Sequence, residues 1–420
     1  MKNISILSNG LHVVTDYIDH VETVSLGAWV GIGARYEKET VNGISHVLEH
    51  MAFKGTTTRK SFEIADAIES VGGYLNAYTS RETTAYYTRL LKEHSSLGVE
   101  IICDILSNST FNETELKKEK HVIIQEIGQT EDSPDDIVFD YFQSTCFKDQ
   151  AMGRSILGPV SNVENFTSHQ VKNYMQDHYS TNNMVFAAAG KIDHDRFVED
   201  VENKLSSFKK EATVFKESAN YTGGDFRLSK ELEQAHVIIG LLGVGYGHND
   251  YYRQMLASII LGGGMSSRLF QEIREKRGLV YGISAFASPY TDCGIFSIYA
   301  GTGAHEVKEL IPLTVTELFK MTGSVSQKEL NRAKSQLKAS LMMGLESTSN
   351  RCERIANQIL IHKRFIETSE VIQKIDDIKT TDIQDFMNNL LKGVPTLTTL
   401  GPIENVIPYD DFLNTFEKRA

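Results

Sequence analysis

Hydrophobic positions along the first half of the chain alternate between a strand-like period of two and longer helical spacings. His12–Thr15 and Val24–Gly33 are rich in β-branched and small residues and predict strands. Tyr74–Ser80 and Thr84–Leu90 predict an antiparallel pair, and Asn183–Gly190 a further apolar strand. Helical spacing covers residues 43–53, then Ser61–Val71, with Ser61 as cap and Glu63 in the first turn. Longer helices are predicted over 94–106 and 112–129. The second has Asn112 as cap, Glu113 and Glu115 in its first turn, and apolar positions at Leu116, Val122, Ile123 and Ile127. Ser133-Pro134 opens an acid-rich helix, and His194–Leu205 another.

The pattern then breaks. Ser206–Gly224 is polar, with Lys209-Lys210-Glu211 and a Gly223-Gly224 pair, and reads as a linker. Beyond it the order restarts, with a strand at His236–Gly243 and a helix at Asp250–Leu261. This echo predicts a duplicated α+β unit: a first domain over 1–208, a linker over 209–224 and a second domain over 225–420. A chain of 420 residues is too long for one ordinary core and suits two domains of about 200 residues each.

Composition narrows the class. Hydrophobic residues make up 41% and charged residues 23%, ordinary for a soluble globular chain. The net charge of −12 has no offsetting basic block, which argues against nucleic-acid binding and is compatible with positively charged substrates. No apolar run approaches a membrane span. The N-terminus enters a strand-like pattern at once, without the features of a signal or transit peptide, so a cytoplasmic, bacterial location is expected. The four cysteines, Cys103, Cys146, Cys293 and Cys352, are scattered and form no C-x-x-C pair. The Gly262–Gly264 run lacks a phosphate-binding pattern and reads as a backbone turn or peptide-contact loop.

The segment His46-Val47-Leu48-Glu49-His50 reads H-x-x-E-H. Residues four apart on a helix share a face, so both imidazoles can reach one metal, with Glu49 near enough to hold a water on it. Zinc hydrolysis needs neutral nitrogen ligands, an open position and a carboxylate that takes the water's proton. The competing reading is a solvated helix face with two histidines. A third ligand is needed, and Glu126 is the best candidate. Glu119 lies seven residues earlier on the same helix face, so one carboxylate can ligate while the other orients water or a histidine.

These residues carry a resemblance. From the Asn9-Gly10-Leu11 opening to the last hundred residues, the chain resembles the pitrilysin-type inverzincin metallopeptidases, in their half-size, mitochondrial-processing-peptidase-like branch. That family has its third ligand 76 residues after the second histidine, the position of Glu126, and a further glutamate where Glu119 stands. The resemblance implies one zinc per chain. It also implies two homologous domains, each a mostly antiparallel sheet packed with helices, facing each other across a cleft, with zinc in the first alone.

Further roles follow from the resemblance. Asn76 and Ala77, 26 and 27 residues after His50, match the strand beside the scissile carbonyl, where an extended peptide adds to an edge strand. Phe53 matches a pocket for the side chain just after the cleaved bond; a buried core phenylalanine is the alternative reading. Arg274 and Tyr281 match a pair that supports the developing oxyanion from the second domain. Asp136 and Asp140, ten and fourteen residues after Glu126, match carboxylates that hold a substrate arginine, although the family usually has Glu at the first. Partners implied are basic peptide substrates and, as a homodimer or heterodimer, a related chain. The expected activity is that of a zinc endopeptidase preferring Arg two residues before the cleaved bond. A non-catalytic core subunit of the same fold and a general degrader of short peptides are the alternatives.

Overall fold

Two sheets, each covered by helices, organise the chain. The computed structural model describes residues 1–212 and 214–417. Thr213 of the expected linker and Lys418–Ala420 at the end of the expected second domain lie outside the described residues.

The first sheet contains β1 (Lys2–Ile6), β2 (His12–Tyr17), β3 (Thr23–Val30), β4 (Tyr74–Thr79), β5 (Thr84–Leu91) and β6 (Met184–Gly190), in the spatial order β1-β2-β6-β3-β5-β4. The second contains β7 (Gly224–Ser229), β8 (Ala235–Gly243), β9 (Val280–Pro289), β10 (Gly294–Thr302) and β11 (Thr396–Gly401), in the order β7-β11-β8-β10-β9. Without β1 the two orders correspond strand for strand. Each sheet also has one parallel pair at the matching place, β2 with β6 and β7 with β11, all other pairs being antiparallel. The duplicated α+β unit expected from the sequence is therefore present as topology. Central strands read as continuous apolar runs because both faces are covered; β6 is buried at every position. The edge strands β1 and β4 carry exposed residues at alternate positions.

The two compact units are not contiguous in sequence. The first comprises Met1–Gly128, Arg154–Glu217 and Met342–Phe365; the second comprises Gln129–Gly153, Ser218–Leu341 and Ile366–Ala420. Each half thus lends a helix to the other half's sheet. Pro134–Cys146, the acidic helix, packs Val138, Phe142 and Cys146 onto Ile238, Ile295 and Leu400 of the second sheet. Gly240 makes room for it, since a Cβ there would sit 2.3 Å from the Phe142 ring. In return Thr348–His362, the returning helix, packs Cys352, Ile355, Ala356 and Ile359 onto Val14, Trp29, Ala85 and Val185 of the first sheet. Burying each isoleucine contributes about 1.5–3 kcal/mol. A bidentate pair orients this helix: Arg351 donates through Nε and Nη2 to the buried Asp16 carboxylate, both at 2.8 Å. Periodicity within either half does not register such an exchange, because each borrowed helix is locally ordinary. All four cysteines are buried and none is in a disulfide.

Replacing Arg351 by alanine leaves Asp16 buried without its guanidinium. The expected loss is about 3 kcal/mol, the low end for breaking a buried pair because Arg351 is partly solvated. Urea denaturation should show a lower midpoint for the first unit, and an unchanged midpoint would refute the role given to this pair.

Candidate metal centre and active site

The H-x-x-E-H segment lies on the helix Ile44–Ala52, the motif helix. It starts at Gly43, whose φ of 98° is left-handed and whose position leaves no room for a side chain: a Cβ would meet Leu157 O at 2.6 Å. The first turn has backbone donors that no intrahelical acceptor meets. Glu37, fully buried, meets them. Its Oε2 accepts from Gly43 N at 2.7 Å and Asn42 Nδ2 at 2.9 Å, and its Oε1 accepts from Ser45 N at 2.7 Å. Burial pushes the Glu37 carboxyl above its ordinary range, and these donors oppose the shift. Sequence reading missed Glu37, whose only signal is an acid placed ahead of an Asn-Gly turn, outside capping-box spacing. Ile44, Val47, Leu48 and Met51 bury the opposite face of this helix in the core.

His46 and His50 stand edge-to-face, ring centroids 4.6 Å apart. Glu126 comes from the helix Glu113–Glu131, its Oε2 3.6 Å from Nε2 of both histidines. The three donor atoms lie within 4.8 Å of one another. Ligand atoms about 2.0–2.2 Å from a tetrahedral zinc are about 3.4 Å apart, close to the observed spacing. Glu119 does not join them. Its Oε2 accepts from His50 Nδ1 at 3.1 Å and its Oε1 pairs with Lys54 Nζ at 2.8 Å. A carboxylate can only accept, so this contact orients the ring with Nδ1 toward Glu119 and Nε2 toward the other donors. Burial, then the neighbouring His50, pull His46 down to about 3, so its ring is neutral and able to ligate. Two imidazole nitrogens and one carboxylate, with a position left for water, fit zinc.

Glu49 remains outside the donor set. Its Oε2 accepts from Thr79 Oγ1 at 2.6 Å. Burial pushes its carboxyl up, while the Thr79 hydrogen bond and His50 pull it down. Thr79 ends β4, which lies at the sheet edge with β5 as its single neighbour. Asn76 is exposed there, donating through Nδ2 to Tyr74 OH at 2.6 Å and accepting from Ala77 N at 2.8 Å. The hairpin beyond β4 is tied down by Arg35, fully buried, whose Nη1 donates to Glu82 at 2.6 Å and whose Nη2 donates to Glu217 O at 2.9 Å. Arg35 and Thr79 also escaped sequence reading. Phe53 ends the motif helix, partly buried against the core, its ring 6.2 Å from Tyr86.

The remaining expected residues fall in the second unit. The Arg274 guanidinium lies on a single π-helical turn, Phe270–Glu275, 4.5 Å from the Phe270 ring and 5.6 Å from the Tyr281 ring. Tyr281 is 82% exposed at the start of β9. The two side chains therefore neighbour each other. Asp136 is exposed and Asp140 half-buried, one turn apart on the acidic helix.

This geometry defines a class: a duplicated α+β metalloprotein with a His-His-Glu zinc centre and an adjacent carboxylate. Comparison with known proteins agrees. Residues 12–160 match the family profile described as insulinase (peptidase family M16), and residues 165–337 that of the peptidase M16 inactive domain. The chain is 40% identical to an uncharacterized zinc protease of Rickettsia felis over 401 residues, covering 95% of this chain and 97% of that one. It is 37% identical to a zinc protease of Bacillus subtilis, covering 95% and 98%. It is also 33% identical to the mitochondrial-processing peptidase subunit beta of Bos taurus, covering 96% and 85%. A protease structure from Helicobacter pylori shares the fold, with a TM-score of 0.88 at 22% identity over 96% of this chain and 99% of that one. The chain belongs to peptidase family M16, and zinc is its metal. Among the described residues no helix is long and apolar enough to cross a membrane.

Zinc should copurify at about one per chain and be lost on His46→Ala or His50→Ala. Glu119→Gln should keep the ligands but weaken zinc binding by roughly 10–100-fold, because His50 loses its orienting carboxylate. Competition with a chromogenic chelator reads both effects. Full zinc affinity in Glu119→Gln would overturn the orienting role.

Proposed function

We propose that the protein is a zinc endopeptidase acting on extended peptides, with preference for arginine two residues before the cleaved bond. The observation that carries this reading is the meeting of the donor set, Glu49 and the open strand β4 within one unit. His46, His50 and Glu126 would hold the metal. Bound zinc supplies a lowered water pKa and a polarised carbonyl. The substrate backbone pairs with the open edge of β4, the strand that carries Asn76 and Ala77. Glu49 takes a proton from water and passes it to the leaving amine nitrogen. Arg274 and Tyr281 are the donors assigned to the developing oxyanion, and Phe53 the wall for the side chain after the bond.

The relatives named as β subunits support a homodimer or a heterodimer with a related chain. The bacterial relatives support a bacterial setting, and the cytoplasm is the proposed compartment. Size-exclusion chromatography and cell fractionation test these two points. A non-catalytic core subunit fits less well, since Glu49 and the whole donor set are retained.

Glu49→Gln should keep zinc and fold yet lose on the order of 100-fold or more in kcat. Tyr281→Phe should lower kcat more than it raises KM, because a donor to the oxyanion acts mainly in the transition state. Near-wild-type turnover in either variant removes the role given to that residue.

The arginine preference rests on Asp136 and Asp140, two carboxylates on one helix face that suit a planar guanidinium. Changing both to Asn should weaken cleavage of arginine peptides by about 1–3 kcal/mol while sparing neutral ones. A peptide-library digest decides it. No arginine enrichment, or enrichment that survives the double change, makes the general peptide degrader the better reading.

A further inference from the structure

Thr79 makes a contact that the proposed mechanism leaves unused. Its hydroxyl donates to Glu49 Oε2 at 2.6 Å, and among the described residues no other hydrogen bond reaches that carboxylate. Oε1 is left without a protein donor. A glutamate side chain has several rotatable bonds, and a general base works best with one oxygen held and the other presented. The frame that delivers the hydroxyl is rigid. Thr79 pairs with Thr84 in the ladder, and Thr84, fully buried, donates to Ile32 O at 2.9 Å. The preceding Tyr78 donates to Glu353 Oε1 of the returning helix at 2.7 Å. In the turn that follows, Ser80 N donates to Thr83 O at 2.8 Å.

We infer that Thr79 is the positioning residue for Glu49: it occupies one carboxylate oxygen and so presents the other to the proton being moved. The inference rests on Glu49 as the base. The proton goes from water to Glu49 Oε1 and then to the leaving amine nitrogen, while Thr79 keeps its own proton throughout. The strand that receives the substrate thereby also orients the base.

The test compares Thr79→Val, which keeps the shape and loses the hydroxyl, with Thr79→Ser, which keeps the hydroxyl. Both are made in the full chain and combined with Glu49→Gln. Thr79→Val should lower kcat roughly tenfold or more with KM and zinc affinity within about twofold, and Thr79→Ser should recover most of the loss. In the Glu49→Gln background Thr79→Val should cost nothing further. A second readout needs neither zinc nor turnover. In the zinc-free protein labelled with ¹³C-carboxyl glutamate, the Glu49 resonance, assigned by its absence in Glu49→Gln, should move in Thr79→Val and stay in Thr79→Ser. Wild-type kcat in Thr79→Val beside an inactive Glu49→Gln overturns the role of Thr79 alone. Activity retained in Glu49→Gln removes the base and the inference with it. Equal losses in Val and Ser, or a loss confined to KM or zinc affinity, would show a structural role only.

Discussion

The first turn of the motif helix carries backbone N–H groups shielded from solvent, because the helix enters the core directly after Gly43. Glu37 supplies the acceptors at the positive end of the helix dipole. The position of His46 and His50 depends on this contact. Their shared face is set by helical geometry, but the rotation and height of that face are set by where the first turn is anchored. Glu126 and Glu119 arrive on a separate helix, so an error of about 1 Å at Gly43 would be felt by all the donors at once. The left-handed turn and the absent side chain at Gly43 serve the same end: the chain must approach Leu157 and Gly158 closely to bring its amides onto Glu37.

The exchange of helices between the two halves links them through covalent continuity. The helix that delivers Glu126 crosses from the first unit to the second between Gly128 and Gln129, and the acidic helix follows at once on the other sheet. The returning helix anchors β4 from behind through Glu353 and Tyr78. Neither unit is complete when cut at the midpoint of the chain. A truncated chain ending near residue 210 would expose Trp29, Val14 and Val185 on the first sheet and leave Asp16 without Arg351.

What could be read from the sequence follows the range of the interactions. The motif helix was legible because its information is local: two histidines one turn apart, with apolar residues on the other face. Strand β4 and its partner β5 were legible from alternation alone. Glu126 was legible as a candidate ligand only through the family resemblance, which puts a glutamate 76 residues after the second histidine, since nothing in its own helix separates it from a solvated glutamate. The side chains that hold the site still were not legible. Glu37, Arg35, Thr79 and the Asp16–Arg351 pair act across folds of the chain, and each residue is commonplace in its own window. The exchange of helices was hidden for the same reason. Both exchanged helices have ordinary amphipathic faces, and periodicity tells which face is buried without telling against what.

The four cysteines have a practical consequence. All four are buried, and burial pushes the thiols of Cys103 and Cys352 well up, so thiolate is scarce there. With all four sulfurs buried, maleimides and iodoacetamides should find little to react with while the fold is intact. A fluorophore pair attached at two introduced exposed cysteines, one in each unit, would report on the natural chain without first stripping it of its own sulfur. Reaction of the native thiols would in turn time the opening of the cores that hide them.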